Sequence, residues 1–264
     1  MTIKLFCDHS PGLVDLFRAR QIPLDGIEFN PFNSPEQIEA LRADYPGLPF
    51  QFHASNVGRA PFSLRKLDRY NQVCPESAWV SIHLSLVPSL TFFSAFRLGV
   101  KLPMAAPHQL ERRFIRQVKR LVPRLSLPLI LENMPATPLL NNGFESAPAT
   151  IRRVVSILNT DLLLDLAHAQ VAAAFQKLSI EAYLLGLPLE RVREIHVSGV
   201  REVDGVLRDA HEPLREADYD LLAWVLRRTK PEMVTLEYFR DDQPVLKEML
   251  IRLRQALDVY ATPE

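Results

Sequence analysis

The 264-residue chain has little cysteine, little glycine and no imbalance of charge. Its two cysteines, Cys7 and Cys74, cannot build a disulfide framework and lack the spacing of a thiolate metal site. Lys plus Arg number 31 and Asp plus Glu number 31. This balance excludes the strong basic excess expected of a protein that coats nucleic acid or an anionic membrane, so neither is expected as a partner. No stretch approaches the ~18 uninterrupted apolar residues of a membrane span. The opening MTIKLFCDHS puts no basic stretch ahead of an apolar one. The expectation is therefore no signal peptide and a cytoplasmic location. Nine glycines against 21 prolines suggest connections stiffened by proline rather than flexible linkers.

Short apolar runs alternate with longer amphipathic ones. Eight runs read as strands: Ile3–Cys7, Asp25–Phe29, Leu48–His53, Trp79–Leu84, Pro128–Glu132, Asp161–Asp165, Val192–Val197 and Met233–Tyr238. Ser10-Pro11 starts a helix after the first, and Ser34-Pro35-Glu36-Gln37 is a capping box after the second. Helical spacing marks residues 106–122, with Leu110, Phe114, Ile115, Val118 and Leu121, and marks 147–158, 214–228 and a closing helix through Leu257. Eight strands alternating with helices predict a single parallel α/β domain over 1–264, a (β/α)8 TIM barrel. The first turn, DHSPG, is not the glycine-rich turn of a dinucleotide-binding sheet.

A TIM barrel keeps its chemistry at the C-terminal strand ends. Strand three ends in His53, strand four in His83, strand five in Glu132 and strand six in Asp165, with His168 three residues on. Strand seven carries His196, the loop after it Asp209 and His211, and strand eight Glu237. Any one of these reads equally as a structural polar residue or a helix cap. Nine together do not, because imidazoles and carboxylates this dense need a strong positive charge among them. Imidazole and carboxylate without thiolate suit iron, zinc or manganese. Nine groups exceed the needs of one ion and fit two or three.

The segments DLLLDLAHAQ, LPLERVREIHVSG, LRDAHEP and VTLEY carry a resemblance. The chain resembles the multinuclear non-haem iron oxidases that include the methanobactin-biosynthesis oxidase, sharply over about residues 128–240. That family is similar in fold to the xylose-isomerase-like barrels and endonuclease IV. The resemblance implies two or three iron ions, with ligands at His53, His83, Glu132, Asp165, His196, Asp209, His211 and Glu237. It implies an oxidase that uses dioxygen to modify cysteines of a ribosomally made precursor peptide, commonly with a partner protein presenting the peptide. His168 departs from the pattern. The oxidases often carry Asn there, whereas Asp-x-x-His is the pattern of endonuclease IV-like zinc barrels, whose trizinc set all nine groups also match in order and type. Two other activities therefore stand beside the oxidase: a trizinc phosphodiesterase, and a metal-dependent sugar isomerase or epimerase.

Other residues have two readings. The apolar stretch 85–105, with Phe92, Phe93 and Phe96, either packs on the barrel rim or forms a groove for a peptide or partner helix. The turn-rich stretch 133–145 is placed to line the pocket mouth, with Asn133 orienting substrate or a metal ligand. His9 and Glu28, at the ends of strands one and two, are supporting groups or surface polar residues. His108 belongs to a helix start, and Cys7 to the core.

Overall fold

The computed structural model describes residues 2–54, 64–88, 91, 94–95, 98–100, 103–138, 140 and 142–260. Eight parallel strands form one sheet: β1 (Lys4–Asp8), β2 (Gly26–Phe29), β3 (Phe50–Phe52), β4 (Val80–His83), β5 (Leu129–Glu132), β6 (Asp161–Asp165), β7 (Val192–Val197) and β10 (Met233–Leu236). Their order is β3-β2-β1-β10-β7-β6-β5-β4. The ends of that order meet through a single parallel bridge, His53 to Ser81, so the sheet curls into a nearly closed barrel. This is the predicted TIM barrel, and each predicted strand matches an observed one within a few residues.

The helices follow from local chemistry. In α1 (Pro11–Arg18) the Ser10 side chain accepts from Leu13 N, with proline in the first turn. α2 (Pro35–Leu41) begins with the expected reciprocal Ser34–Gln37 capping box. The later helices are α3 (Leu64–Val73), α4 (Pro107–Leu121), α5 (Pro148–Leu158), α6 (Leu166–Gln176), α7 (Ile180–Gly186), α8 (Glu216–Leu226) and α9 (Gln243–Asp258). No periodic pattern announces α6. Its sequence, LAHAQVAAAFQ, is buried nearly all round, so it lacks the polar stripe that marks a surface helix. The segment after β7, expected as a loop, is an antiparallel hairpin of β8 (Gly199–Val203) and β9 (Val206–Glu212).

Inside the barrel, alternate residues point inward. Phe6, Trp79, Ile130, Leu163 and Met233 pack together as an apolar floor. Gly26 makes room for it, since a Cβ there would lie 2.1 Å from Cζ of Phe6. Polar residues occupy the inward positions one step up each strand.

The seam between β3 and β4 has few backbone bonds and is stitched by side chains. Gln51 Nε2 donates to the Trp79 carbonyl at 2.9 Å, and its Oε1 accepts from Ala78 N at 2.9 Å. Ser77 Oγ accepts from Phe52 N at 3.0 Å. Gln51→Leu leaves two backbone groups of the seam without partners. It is expected to cost about 1–3 kcal/mol in urea unfolding, because the Trp79 carbonyl is buried while Ala78 is exposed and its N–H can turn to water.

Candidate metal centre

The polar layer at the C-terminal end of the barrel brings all nine strand-end residues together. Glu132, at the end of β5, is the hub. Its Oε2 lies 3.2 Å from His53 Nε2 and 2.8 Å from His83 Nε2, and its Oε1 lies 3.2 Å from His168 Nδ1. His168 Nε2 lies 3.2 Å from Asp209 Oδ2, and His211 Nε2 lies 3.7 Å from the same oxygen. Glu237 faces His196 Nδ1 at 3.2 Å and His211 Nδ1 at 3.8 Å. Three triads bring potential ligand atoms within 4.8 Å of one another: His53–His83–Glu132, Glu132–Asp165–His168 and Glu28–His196–Glu237.

Local structure fixes these side chains. Asp165 ends β6 and caps α6, its Oδ1 accepting from His168 N at 2.7 Å. The cap sets His168 one turn into the helix, on the same side as Asp165. Asn133 clamps both. Its side chain donates to the Asp165 carbonyl at 3.0 Å and accepts from Asp165 N at 2.9 Å. Its backbone carbonyl lies 2.9 Å from His168 Nδ1. A carbonyl can only accept, so Nδ1 carries a proton, which leaves Nε2, 3.2 Å from Asp209 Oδ2, as the nitrogen a metal ion would take. His53 Nδ1 is held at 2.7 Å from Ser81 Oγ, which aims Nε2 at Glu132. The hairpin delivers the last pair, with Asp209 and His211 on β9 and His211 in the left-handed region at φ 45°.

Burial and mutual repulsion set the charges. Burial alone would raise Glu132, yet His83 and His53 hold it well below the usual carboxylate range. Burial raises Asp165 well above that range. Burial would depress His168 and His196, but the carboxylates around them raise both well above the ordinary imidazole value. Burial, reinforced by Glu194, pushes Glu28 up from 4.5 to about 7. Among the described residues no Lys or Arg ion-pairs with these carboxylates within 4 Å.

Many of these atoms also lack hydrogen-bond partners. Both oxygens of Glu28, both ring nitrogens of His196, Glu132 Oε2, Asp165 Oδ2, Asp209 Oδ1, His211 Nδ1 and Glu237 Oε2 are buried and unpartnered. Several approach one another closely but without hydrogen-bond geometry. Orphaned lone pairs converging on common points, in a set of imidazoles and carboxylates, fit two or three divalent ions of the iron, zinc or manganese type. Glu132 has two oxygens to share between neighbouring ions.

The supporting candidates divide. Glu28 is fully buried inside the third triad, and Asn133 is the clamp just described. His9 points elsewhere, its Nδ1 3.0 Å from Tyr45 Oη and its ring against Phe29. The sequence reading missed Asp8 and Glu194. Both are fully buried beside the site, and strand alternation marks them: Asp8 is two residues beyond Phe6 of the floor, and Glu194 two before His196. His108 stands at the start of α4, and Cys7 is buried in the core with its thiol raised by burial, as expected.

A cleft of about 490 Å3 opens beside Asp209. Met134, Ala136, Pro138 and Leu140 of the 133–145 stretch line one wall, facing Val171 of α6 and Val206 of β9. The stretch thus borders a pocket mouth, as expected, although its lining there is largely apolar. Phe92, Phe93 and Phe96 lie outside the described residues. Among the described parts of 85–105, Val87 and Ala95 pack inward on Leu140, Met104 and Phe144, whereas Leu98 and Val100 are exposed.

The fold is that of the xylose-isomerase-like barrels. The chain is similar to D-psicose 3-epimerase of Clostridium cellulolyticum, with a TM-score of 0.59 at 14% identity, covering 98% of both chains. It is also similar to a putative xylose isomerase from Rhodospirillum rubrum, with a TM-score of 0.59 at 15% identity, covering 99% of this chain and 100% of that one. At these identities the likeness shows the fold alone. Residues 30–260 match the model of the RiPP precursor modification enzymes MbnB/TglH/ChrH, and the chain belongs to that family. A UPF0276 protein of Paraburkholderia phytofirmans is 31% identical over 168 residues, 62% of this chain, and the match spans about half (53%) of that relative. UPF0276 proteins of Anaeromyxobacter and Rhizobium meliloti are 26% and 27% identical, each over 85% of this chain and over 78% and 74% of their own lengths. Among the described residues no helix is long and apolar enough to cross a membrane.

The buried Glu28 yields a pH prediction. It binds its proton more tightly folded than unfolded, so metal-free protein keeps that contribution below about pH 4.5 and loses it as pH rises through about 7. Metal-free Glu28→Gln is expected to be more stable than wild type near pH 8, by up to about 3 kcal/mol, with no such advantage near pH 4. Parallel stability curves for the two proteins in urea would show that Glu28 carries no such cost.

Proposed function

We propose that the chain is a metal-dependent oxidoreductase that modifies cysteine residues of a ribosomally made precursor peptide, using dioxygen at a centre of two or three iron ions. The observation that carries this reading is the convergence of three imidazoles on the two oxygens of Glu132, in a chain of the precursor-modification family. In this reading His53, His83 and Glu132 hold one ion. Glu132, Asp165, His196 and Glu237 hold a second, and His168, Asp209 and His211 a third. Bound iron supplies redox chemistry with dioxygen and a site for a thiolate.

The chain's own residues do the positioning. Ser81 and Asn133 fix the rings of His53 and His168 before any ion arrives, which lowers the cost of assembling the centre. The apolar cleft between the 133–145 stretch and β9 is sized for one or two side chains of a peptide, and it ends at Asp209. A peptide seated there has a cysteine beside the centre, with water displaced by Met134, Leu140 and Val206. A partner protein that presents the peptide completes the proposal, as the family resemblance implies.

One observation favours a second reading. His168 sits within reach of Asp209, and together they complete a nine-group set that also suits three zinc ions and a phosphodiesterase. A sugar epimerase would need fewer ligands than the nine assembled here.

Elemental analysis of protein purified without oxygen, paired with electron paramagnetic resonance, separates these. Two or three irons per chain and a mixed-valence signal support the oxidase, which is then tested by mass change in cysteine-containing peptides. Three zincs that iron does not replace, with hydrolysis of an abasic-site DNA, would overturn it in favour of the phosphodiesterase. Within the oxidase reading, His53→Ala is expected to lose about one ion per chain and to reduce peptide turnover at least 100-fold, through loss of a ligand. His168→Asn is expected to retain most of the metal, because Asn presents an oxygen at the same helical position. Full loss of one ion in that variant would make His168 an essential ligand.

A further inference from the structure

His196 differs from His53 and His83 in which nitrogen faces the cluster. His53 and His83 turn Nε2 toward Glu132, and His53 gives its Nδ1 to Ser81. His196 turns Nδ1 toward Glu237, whose other oxygen leads on to His211. Its Nε2 points down into the barrel, 3.4 Å from Glu194 Oε1 and 3.1 Å from Glu28 Oε1, with hydrogen-bond geometry to neither. These two carboxylates are not equivalent. Both oxygens of Glu28 lack hydrogen-bond partners. Glu194 is tied down at both, with Trp79 Nε1 donating to Oε2 at 2.6 Å and Thr235 Oγ1 donating to Oε1 at 2.9 Å. All five side chains are buried, and Trp79 itself belongs to the apolar floor.

We propose that Glu194 is a positioning residue, locked by Trp79 and Thr235, that takes the Nε2 proton of His196 and so makes Nδ1 the metal-binding nitrogen. The inference rests on the metal-centre reading above. Two fixed donors leave Glu194 only one role, that of acceptor. A carboxylate held this way orients the ring, selects its tautomer and strengthens the free nitrogen as a ligand. The fixed point is tied to Trp79 of the apolar floor and faces His196.

Glutamine at 194 inverts this arrangement. Its one acceptor oxygen must meet Trp79 Nε1–H, a donor that cannot reverse. Its NH2 then faces Thr235, whose hydroxyl can turn to accept, and His196 Nε2. A donor facing Nε2 favours the tautomer with the proton on Nδ1, which cannot ligate.

The test uses the full chain loaded with zinc as a diamagnetic probe. Zinc per chain is measured after dialysis against graded chelator, with 15N-histidine NMR of the same samples and melting of the metal-free forms. Wild type is expected to show a protected His196 Nε2–H. Glu194→Gln is expected to lose that resonance and to hold one zinc about 10- to 100-fold more weakly, the other zincs unchanged. Trp79→Phe removes one donor and keeps the carboxylate. It is expected to give a smaller loss at the same zinc, and it decides the matter should Glu194→Gln fail to fold. Retention and Nε2–H signals equal to wild type in both variants would overturn the clamp while leaving the metal centre intact. Loss of the zinc in Glu28→Gln but not in Glu194→Gln would also overturn it, by making Nε2 the ligating nitrogen. Wild type that takes up no zinc or iron would overturn the metal centre and the clamp with it.

Discussion

Uncompensated negative charge in a closed space is the constraint on which the rest of this structure depends. Asp8, Glu28, Glu132, Asp165, Glu194, Asp209 and Glu237 crowd one end of the barrel against five imidazoles, without an ion-paired lysine or arginine among the described residues. A barrel lumen of this kind has little water to solvate such groups. Protons or metal ions must supply the missing charge, and the orphaned lone pairs argue for ions. The supporting hydrogen bonds fall into place around that need. Asp165 gives one oxygen to a helix cap and keeps the other for the site, and Asn133 spans two strands to hold it there.

Fold and chemistry separate cleanly here. Epimerases and isomerases share the barrel at 14–15% identity, so the barrel itself says little about the reaction. The chemistry is read instead from the density of potential ligating groups and from the hairpin after β7 that delivers Asp209 and His211. That hairpin packs on α6 through Val200 and Leu207 against Ala167 and Val171. The small side chain of Ala167 leaves room for that approach. One wall of the cleft and one part of the candidate centre thus depend on the same small-residue helix.

Much of this was legible in the sequence, because a parallel barrel repeats a simple rule. Most strands are apolar through the middle and carry a polar residue at or beside the C-terminal edge, so reading strand ends located His53, His83, Glu132, Asp165, His196 and Glu237. The rule fails where a strand end is off by one. Taking the first strand to stop at Cys7 drew notice to His9, whereas the strand continues to Asp8 and the next residue turns away to Tyr45. Counting alternately from an inward residue corrects this and also finds Glu194 below His196. Other features lay beyond reach for different reasons. The hairpin's RxVDGVLR sequence offers weak alternation on a half-exposed ribbon, and α6 is too uniformly buried to show a period.

The barrel's least-paired joint runs between β3 and β4, and those strands carry His53 and His83. An ion held by this pair bridges the two edges of the sheet where the backbone ladder does not. It acts as a rivet across the joint, working beside the Gln51 and Ser77 stitches. In the proposed reading, occupancy of that one position would govern how freely the wall parts, and opening of the wall how readily the ion escapes. Retaining the metal and keeping the cylinder shut become a single equilibrium, read equally well from ion release or from amide exchange along β3 and β4.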